Sequence, residues 1–416
     1  MIGAIADDFT GATDVAIAFR RSGLRVVVLF RLDDATELPD TDVAVVALKS
    51  RTIPAADAVE QSLRALHWLR ARGATQIFFK YCSTFDSRPD GNIGPVADAL
   101  AKALGTGRTV FVPASPQHLR TQYMGHLFVD RVLLSDSPMK HHPLTPMTRS
   151  YLPDVLREQT AHDVGLIDIR DVRRGSRHIR HLVDTRQPYL LVDALEDGDL
   201  RVIGEACVDD DLVTGAAGLA EGLGAAHAAR LARPALDAHA DAAAHALGAA
   251  GVALAGSCST RTLEQVEHMK SVGHPWWRLD ALRNPDAVVL ARDALEWFDR
   301  QRQGSSPLVY SSTPPDDLRR AQGSLGADTA STILETAMGL IARGLVDRGV
   351  TRLVVAGGET SGAVVTALEI SGGVIGDEAA PGVPWIHVAD PPVDLLLKSG
   401  NFGDVQLLAR AAGMTA

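Results

Sequence analysis

Cysteine is nearly absent from this chain. There are three in 416 residues, Cys82, Cys207 and Cys258. So few, so widely scattered, exclude a disulfide scaffold and fit a reducing compartment, the cytoplasm. Lysine is scarce as well: six of the 41 Lys and Arg residues, at 49, 80, 102, 140, 270 and 398. A lysine kept against an arginine default hints that a compact point charge is wanted there. No apolar run approaches the roughly 20 residues of a membrane helix. The N-terminus, MIGAIADDFTGATD, lacks the basic region and long apolar stretch of a secretory signal. A net charge of −10 supplies no broad basic face, which argues against a nucleic-acid partner. The same field repels anions, so any anionic substrate must be held by a few local cations. There is no G-x-x-x-x-G-K-[ST] loop, no G-x-G-x-x-G after the first strand and no G-x-S-x-G elbow. Their absence excludes a P-loop enzyme and counts against a dinucleotide fold and the usual serine hydrolase.

Core-forming material, by contrast, is plentiful. Hydrophobic residues make up 46% and charged residues 22%, enough for a globular chain of two or three domains. Short apolar runs at Met1–Ile5, Arg25–Phe30, Val43–Leu48, Gln76–Tyr81 and Thr109–Val112 alternate with helical patterns at Asp14–Ser22, Ala55–Arg72 and Asn92–Leu104. Val164–Ile169 and Tyr189–Val192 extend the series. Strands alternating with helices predict a largely parallel sheet with helices on its faces. The Ala/His-rich stretch Gly224–Ala249 reads as a helical tail and linker. A fresh α/β pattern follows, with strands at Val252–Ala255, Leu308–Tyr310 and Leu353–Val355 and helices at Arg261–Lys270, Asn284–Gln303 and Ala327–Arg348. The expected organisation is two α/β domains, 1–235 and 250–416, with largely parallel sheets and an active site in the cleft between them. No internal repeat is evident.

In such sheets ligands bind beyond the carboxyl ends of the strands. Asp7 and Asp8 stand there after the first strand, inside a loop expected at Ala6–Thr13. Adjacent carboxylates repel and one pKa rises, which suits a general base. Thr10 and Gly11 could offer backbone N–H groups to an anion; alternatively the segment is only a capping loop, with Thr13 or Asp14 as the cap. Arg51, in Lys49-Ser50-Arg51, is the natural fork for a ligand carboxylate. Lys80 provides a point charge, and Ser83, Thr84 and Asp86, in the turn Lys80–Ser87, provide hydroxyl-directed hydrogen bonds. Cys82 reads as a structural thiol. Asn92 in NIGPV reads as a helix cap. The loop MKHHPLTPM pairs two histidines, but adjacent positions rarely chelate one ion and no metal ligand set is apparent.

In the second half three glycine-rich turns stand out. AGSCST holds Ser257 and Ser259, AGGETSG holds Gly357, Gly358, Glu359 and Thr360, and KSGNFG holds Gly400 and Gly403. Small residues at a strand-to-helix turn let a phosphate approach the backbone, and the helix dipole favours its charge. Trp276-Trp277 could stack a base, though packing is the commoner job of such a pair.

Taken in order, IADDFTGATD, LKSR, FKYCSTFDS, NIGPV, MKHHPLTPM, AGSCS, AGGETSG, PGVPW and LKSGNFG resemble the four-carbon acid sugar kinase family over nearly the whole chain. The combination KYCSTFDS…NIGPV is most similar to its 3-oxo-tetronate kinase branch. The resemblance implies an N-terminal sugar-acid domain and a C-terminal ATP domain, with Mg2+ and ATP as cofactors. It assigns Asp7, Asp8, Arg51, Lys80 and the Ser83–Asp86 turn to the acid. Ser257, Gly357, Gly358, Glu359, Thr360 and Gly403 go to ATP. The implied reaction moves the γ-phosphate of ATP to the 4-hydroxyl of 3-oxo-tetronate, or of D-threonate or D-erythronate. Asp8 is the preferred base over Asp7, and Lys80 or Lys398 would offset charge on the transferring group. Two readings from other classes stand beside it. One is an aspartyl phosphotransferase or phosphatase using the paired acids, and the other a non-catalytic two-lobed binding protein. The kinase reading needs only small-molecule partners, a sugar acid and ATP, and leaves room for a homo-oligomer.

Overall fold

The computed structural model describes residues 1–33, 37–86, 88–141, 145–231, 251–302, 304–312 and 327–413. The chain divides into two compact units, Met1–Leu236 and Asp237–Ala416. Both are α/β, as the alternating pattern predicts. Most of the linker expected at Gly224–Ala249, and Ser87, lie outside the described residues.

The first unit runs β1 Ile2–Ala6, α1 Phe9–Arg21, β2 Val26–Leu29, β3 Val43–Ala47, α2 Ala55–Ala71, β4 Gln76–Lys80, α3 Ile93–Leu104 and β5 Thr109–Val112. A small antiparallel sheet follows, β6 Arg120–Tyr123, β7 His126–Val129 and β8 Val132–Leu133. Then come α4 Leu152–Arg157, β9 Val164–Ile167, α5 Ile169–Val172, α6 Ser176–Thr185, β10 Tyr189–Val192, α7 Asp197–Ala206, β11 Leu212–Gly215 and α8 Ala217–Arg230. The main strands lie in the order β2-β3-β1-β4-β11-β5-β10-β9 and every pairing is parallel. Strands β1 to β5 are buried along their whole length. Both faces are covered by helices, which is why these strands read as unbroken apolar runs. Under the strand ends the rings of Phe79, Tyr81, Phe85, Phe111 and Tyr189 form a chain of edge and stacked contacts.

The second unit runs β12 Val252–Ala255, α9 Thr260–Ser271, β13 Trp276–Arg278, α10 Ala287–Phe298, β14 Leu308–Tyr310, α11 Ala327–Val346, β15 Arg352–Ala356, α12 Gly358–Ala367, β16 Gly372–Ala380, β17 Val383–Val388, β18 Val393–Lys398 and α13 Leu407–Ala411. Its strand order is β13-β14-β12-β15-β18-β17-β16. The first five are parallel; β17 pairs antiparallel with both β18 and β16. The arrangement β13-β14-β12-β15 repeats that of β2-β3-β1-β4. In each unit the first strand lies between the third and the fourth. No sequence motif is shared between them, so this likeness is invisible before the chain folds.

Several boundaries differ from expectation. Helix α1 begins at Phe9, not Asp14, so the expected loop Ala6–Thr13 shrinks to two residues and the cap is Asp8 rather than Thr13 or Asp14. Helix α10 begins at Ala287, capped by the Asp286 carboxylate on Val288 and Val289 N–H, and ends at Phe298. The hairpin β16–β17 was not expected: its polar residues, Asp377, Glu378 and His387, break the apolar alternation. Trp276 and Trp277 form an edge strand, with Trp277 against Trp297 at 5.7 Å and Trp276 against Tyr310 at 6.0 Å. Both rings make packing contacts, and Trp276 remains about half exposed. Among the described residues no helix is long and apolar enough to cross a membrane.

Helices α7 and α8 meet backbone to backbone. A Cβ on Gly204 would stand 2.3 Å from the Gly222 carbonyl carbon, and one on Gly222 would stand 2.2 Å from the Leu200 oxygen. Neither neighbour is a flexible side chain, so the helices themselves must separate. Gly222→Val is therefore expected to cost roughly 1–3 kcal/mol or more by overpacking. Urea denaturation of the variant checks this, and unchanged stability contradicts the close approach.

Candidate active site

Strand β1 delivers Asp7 and Asp8 to the point where its neighbours lie on opposite sides. Asp7 is 6% exposed. Its backbone is stitched on both flanks: its N–H donates to Lys80 O at 3.1 Å, and its carbonyl accepts from Ser50 and Arg51 N–H at 2.9 and 3.2 Å. The ends of β1, β3 and β4 are thus drawn into one rim. Asp8 is extended and caps α1, its Oδ1 accepting from Gly11 N–H at 2.9 Å.

Two adjacent carboxylates at one strand end need a cation, and Arg51 is it. Its Nε donates to Asp7 Oδ2 at 2.9 Å, and Nη2 donates to Asp7 Oδ1 at 2.7 Å and Asp8 Oδ1 at 2.6 Å. The fork expected to clamp a ligand carboxylate is therefore engaged with the protein's own acids. Among the described residues its Nη1 takes no partner, and that edge can still meet a ligand. Burial is the largest influence on Asp8 and pushes its carboxyl above the ordinary aspartate value of 3.8; Asp7 adds to the rise, while Arg51, Lys80 and the Gly11 N–H oppose it. A carboxylate raised in this way is a better proton acceptor than a free aspartate.

Lys80 ends β4 and is 3% exposed. Among the described residues its ammonium has neither hydrogen bond nor ion pair. It sits across Gly11 from Asp8: a Cβ on Gly11 would stand 2.2 Å from Asp8 Oδ1 and 2.9 Å from Lys80 Nζ. Gly11 is thus required by the close approach of a base and a cation, and its N–H is spent on the cap. Thr10 is exposed in the first turn of α1, with its carbonyl accepting from the Thr13 hydroxyl at 2.9 Å.

The turn after β4 is strained. Phe85 is fully buried with φ of +53°, in a region that bulky residues seldom occupy. Thr84 and Asp86 are buried here. The Thr84 hydroxyl donates to Asp86 Oδ1 at 2.5 Å and lies 2.9 Å from Cys82 Sγ. Ser83 is partly exposed. Burial first, and the Asp86 charge second, push the Cys82 thiol up, which disfavours the thiolate a nucleophile needs. Asn92 corrects another expectation. It makes no cap bond; its amide donates instead to the carbonyls of Ser50, Arg51 and Ile53 at 2.5, 3.2 and 3.0 Å. This buried side chain supports the loop that carries Arg51. Nothing in the local sequence separates that job from capping.

In the second unit the three glycine-rich turns converge. Ser259 caps α9, its hydroxyl oxygen accepting from Thr262 N–H at 3.3 Å. A Cβ on Gly256 would stand 2.0 Å from Thr360 Oγ1. One on Gly357 would stand 3.0 Å from Ser257 N, and one on Gly400 would stand 2.4 and 2.8 Å from the hydroxyls of Ser257 and Ser259. Gly357 has φ of +126°. At Gly358 a side chain would meet nothing within 4 Å, and Gly358 and Glu359 are exposed at the start of α12. Two helix N-termini and a loop thus share a small rim lined by hydroxyls and backbone, a composition suited to phosphate. Gly403 stands apart: with φ of +78° it packs toward Leu407, not toward the serines. Two residues outside the expected set belong to this region. Ser312, two positions beyond β14, and Ser361, in the first turn of α12, are buried, and their hydroxyls find no partner among the described residues. Lys398 is also corrected. Its three N–H groups go to Thr262 Oγ1, Gly400 O and Phe402 O, so it does not present a free charge.

Among the described residues no group of three or more His, Cys, Asp and Glu side chains could hold a metal ion.

Comparison with known proteins agrees with this division of labour. The model of a sugar-binding N-terminal domain matches residues 2–223, and that of a nucleotide-binding C-terminal domain matches residues 252–408. The chain is 45% identical to a 3-oxo-tetronate kinase of Pseudomonas fluorescens, covering 100% of this chain and 97% of that protein. It is 46% identical to a 3-oxo-tetronate kinase of Burkholderia multivorans, covering 99% and 96%. Among solved structures, a protein of Salmonella typhimurium LT2 superposes with a TM-score of 0.90 at 40% identity, covering 99% of this chain and 98% of that one. With motifs matched along both units and relatives matched end to end, the chain belongs to the four-carbon acid sugar kinase family.

Proposed function

We propose that the chain is a cytoplasmic ATP-dependent kinase that phosphorylates the 4-hydroxyl of 3-oxo-tetronate. Residues 1–235 would bind the acid and residues 250–416 the nucleotide. The observation that carries this reading is the rim of the first unit: a helix-capping, elevated carboxylate, Asp8, across a glycine from Lys80, a buried ammonium with no partner among the described residues. A proton acceptor and a cation, kept apart by the smallest residue, are what an alcohol needs to attack a phosphoryl group.

In this scheme the free edge of Arg51 and the hydroxyls of Ser83 and Thr84 orient the acid, with Asp86 fixing the Thr84 hydroxyl. The substrate hydroxyl oxygen bonds to the γ-phosphorus while its proton passes to an Asp8 oxygen. The bond from the γ-phosphorus to the β,γ-bridging oxygen breaks, and ADP departs. Lys80 offsets charge gathering on the transferred oxygens. The triphosphate would lie on the N–H groups and hydroxyls of Ser257, Ser259, Gly357, Gly358, Thr360 and Gly400, with Ser312 and Ser361 as further donors. Gly403 would shape the turn beyond them. Mg2+ would enter with ATP and neutralise phosphate charge. Magnesium keeps several waters and takes few protein ligands, so the exposed Glu359 with the phosphates is a sufficient donor set.

The reading is tested by incubating purified protein with Mg-ATP and each of 3-oxo-tetronate, D-threonate and D-erythronate. ADP should appear with 3-oxo-tetronate in clear preference. Turnover with none of the three, or a phospho-aspartate trapped on Asp7 or Asp8, overturns it.

Three further outcomes are expected. Because Asp8 is raised, kcat/KM should fall as pH drops through a value above 3.8. Asp8→Asn should remove that limb and lower kcat by about 10²–10⁴-fold. Arg51→Ala should raise KM for the acid by about one to three orders of magnitude, or roughly 1.5–4 kcal/mol. Since Arg51 lowers the Asp8 pKa, its loss should also move the acid limb to higher pH, which a pH–rate profile reads. Gly400→Ala drives a methyl into the serine hydroxyls and should raise KM for ATP by about tenfold or more. KM for the acid should be unchanged; equal damage to both ligands would argue against the assignment.

A further inference from the structure

Lys398 closes β18 and is 2% exposed, yet among the described residues no carboxylate pairs with it. Its ammonium, which carries three donors and no acceptor, meets Thr262 Oγ1 at 3.0 Å, Gly400 O at 2.9 Å and Phe402 O at 3.4 Å. Thr262, fully buried in the first turn of α9, closes the triangle by donating its own hydroxyl to Gly400 O at 2.8 Å. One turn further along α9, the Gln265 amide donates to Phe402 O and Asp404 O at 3.1 and 2.7 Å. Three carbonyls of the irregular segment 400–404, those of Gly400, Phe402 and Asp404, thus find donors in one helix and one lysine. On its other side Gly400 abuts the hydroxyls of Ser257 and Ser259.

We propose that Lys398 is the positioning residue of the nucleotide site: by tying the Gly400–Phe402 carbonyls to Thr262 of α9, it holds Gly400 against Ser257 and Ser259, where the triphosphate would lie. This rests on the kinase reading above. It differs from the expectation that Lys398 touches the transferring phosphoryl group, because its donors are already committed inward. A charge without a counter-ion is costly to bury, and burial, with the Arg261 charge on α9 as a second influence, holds the Lys398 pKa down to about 8. Of the other charged and titratable groups on these elements, Glu264 pairs with Arg261 at 3.1 Å, Glu267 with Lys270 at 2.8 Å and Asp404 with Arg410 at 3.0 Å, and His268 lies in the last turn of α9. Above about pH 8 the ammonium becomes an amine and loses one of its three donors, so the clamp should loosen as pH rises.

The test uses the full chain with Lys398→Met and, in a second variant, Thr262→Val, which keeps the shape at 262 and removes the hydroxyl. ATP binding is measured by calorimetry and both substrates by steady-state kinetics. The dissociation constant for ATP should rise by about tenfold or more in Lys398→Met and by a smaller factor in Thr262→Val. KM for the acid and kcat at saturating ATP should stay within about threefold of wild type. The wild-type KM for ATP should climb between about pH 7 and about pH 9, and the Lys398→Met profile should be flat over that range. Should Lys398→Met fail to fold, Thr262→Val decides. Wild-type ATP affinity in both variants overturns the positioning role while leaving the kinase reading intact. So does a large loss of kcat with ATP affinity unchanged, which would mean direct contact with the transferring group. Absence of ATP binding by the wild type would overturn the kinase reading, and this role with it.

Discussion

Two carboxylates side by side at the end of a buried strand repel each other, and the first unit depends on how that repulsion is met. A single guanidinium reaches both, with a fork on Asp7 and one further bond to Asp8. Arginine can do this because its donors are planar and fixed in angle; lysine has no second arm. The consequence reaches past charge balance. Asp7 becomes part of the framework, bonded through its backbone to β3 and β4 ends and through its side chain to Arg51. Asp8, held by one guanidinium bond and one helix N–H, keeps an elevated affinity for protons. Removing Arg51 would leave a nearly buried acid unpaired, a defect typically worth about 3–5 kcal/mol. Arg51 therefore holds the strand-end acids in place, and the Asn92 amide supports the loop that carries it.

The second unit solves a different problem with different chemistry. The triphosphate site proposed there must present donors without crowding, and glycines and serines at two helix starts meet that need. Such a loop has little side-chain mass to hold it in place. In the proposed role, the buried triangle of Lys398, Thr262 and Gly400 O supplies that hold from behind, leaving the front to backbone and hydroxyls. Both units use the same strand arrangement around their first strand. What distinguishes them is the residue set placed at the reversal: carboxylates and fixed cations in one, small hydroxyl-bearing residues in the other.

Much of this was legible along the chain, because the parallel strands are buried on both faces and read as uninterrupted apolar runs. The motif positions at strand ends were legible for the same reason, since a polar cluster after such a run can only lie at the rim. The start of α1 is hidden in the sequence because the Asp7-Asp8 pair reads as chemistry, and the cap that Asp8 places on Gly11 N–H appears only in the folded chain. The β16–β17 hairpin was hidden by its polar, bulged pattern. Asn92 reads as a cap and Lys398 as a charge for the transferring group because their partners, the carbonyls of 50–53 and of 400–402, are set by contacts across the fold and not by local pattern.

By itself, then, the order of residues determined the α/β class, the two-part organisation, and the identities of the charged and glycine-rich turns, all of which are encoded in local periodicity and composition. Only tertiary structure decided which cation answers which acid, that the Cys82 thiol is pushed up, and that Lys398 faces inward. Those outcomes depend on burial and on distances between atoms dozens or hundreds of residues apart, and no local pattern carries that information.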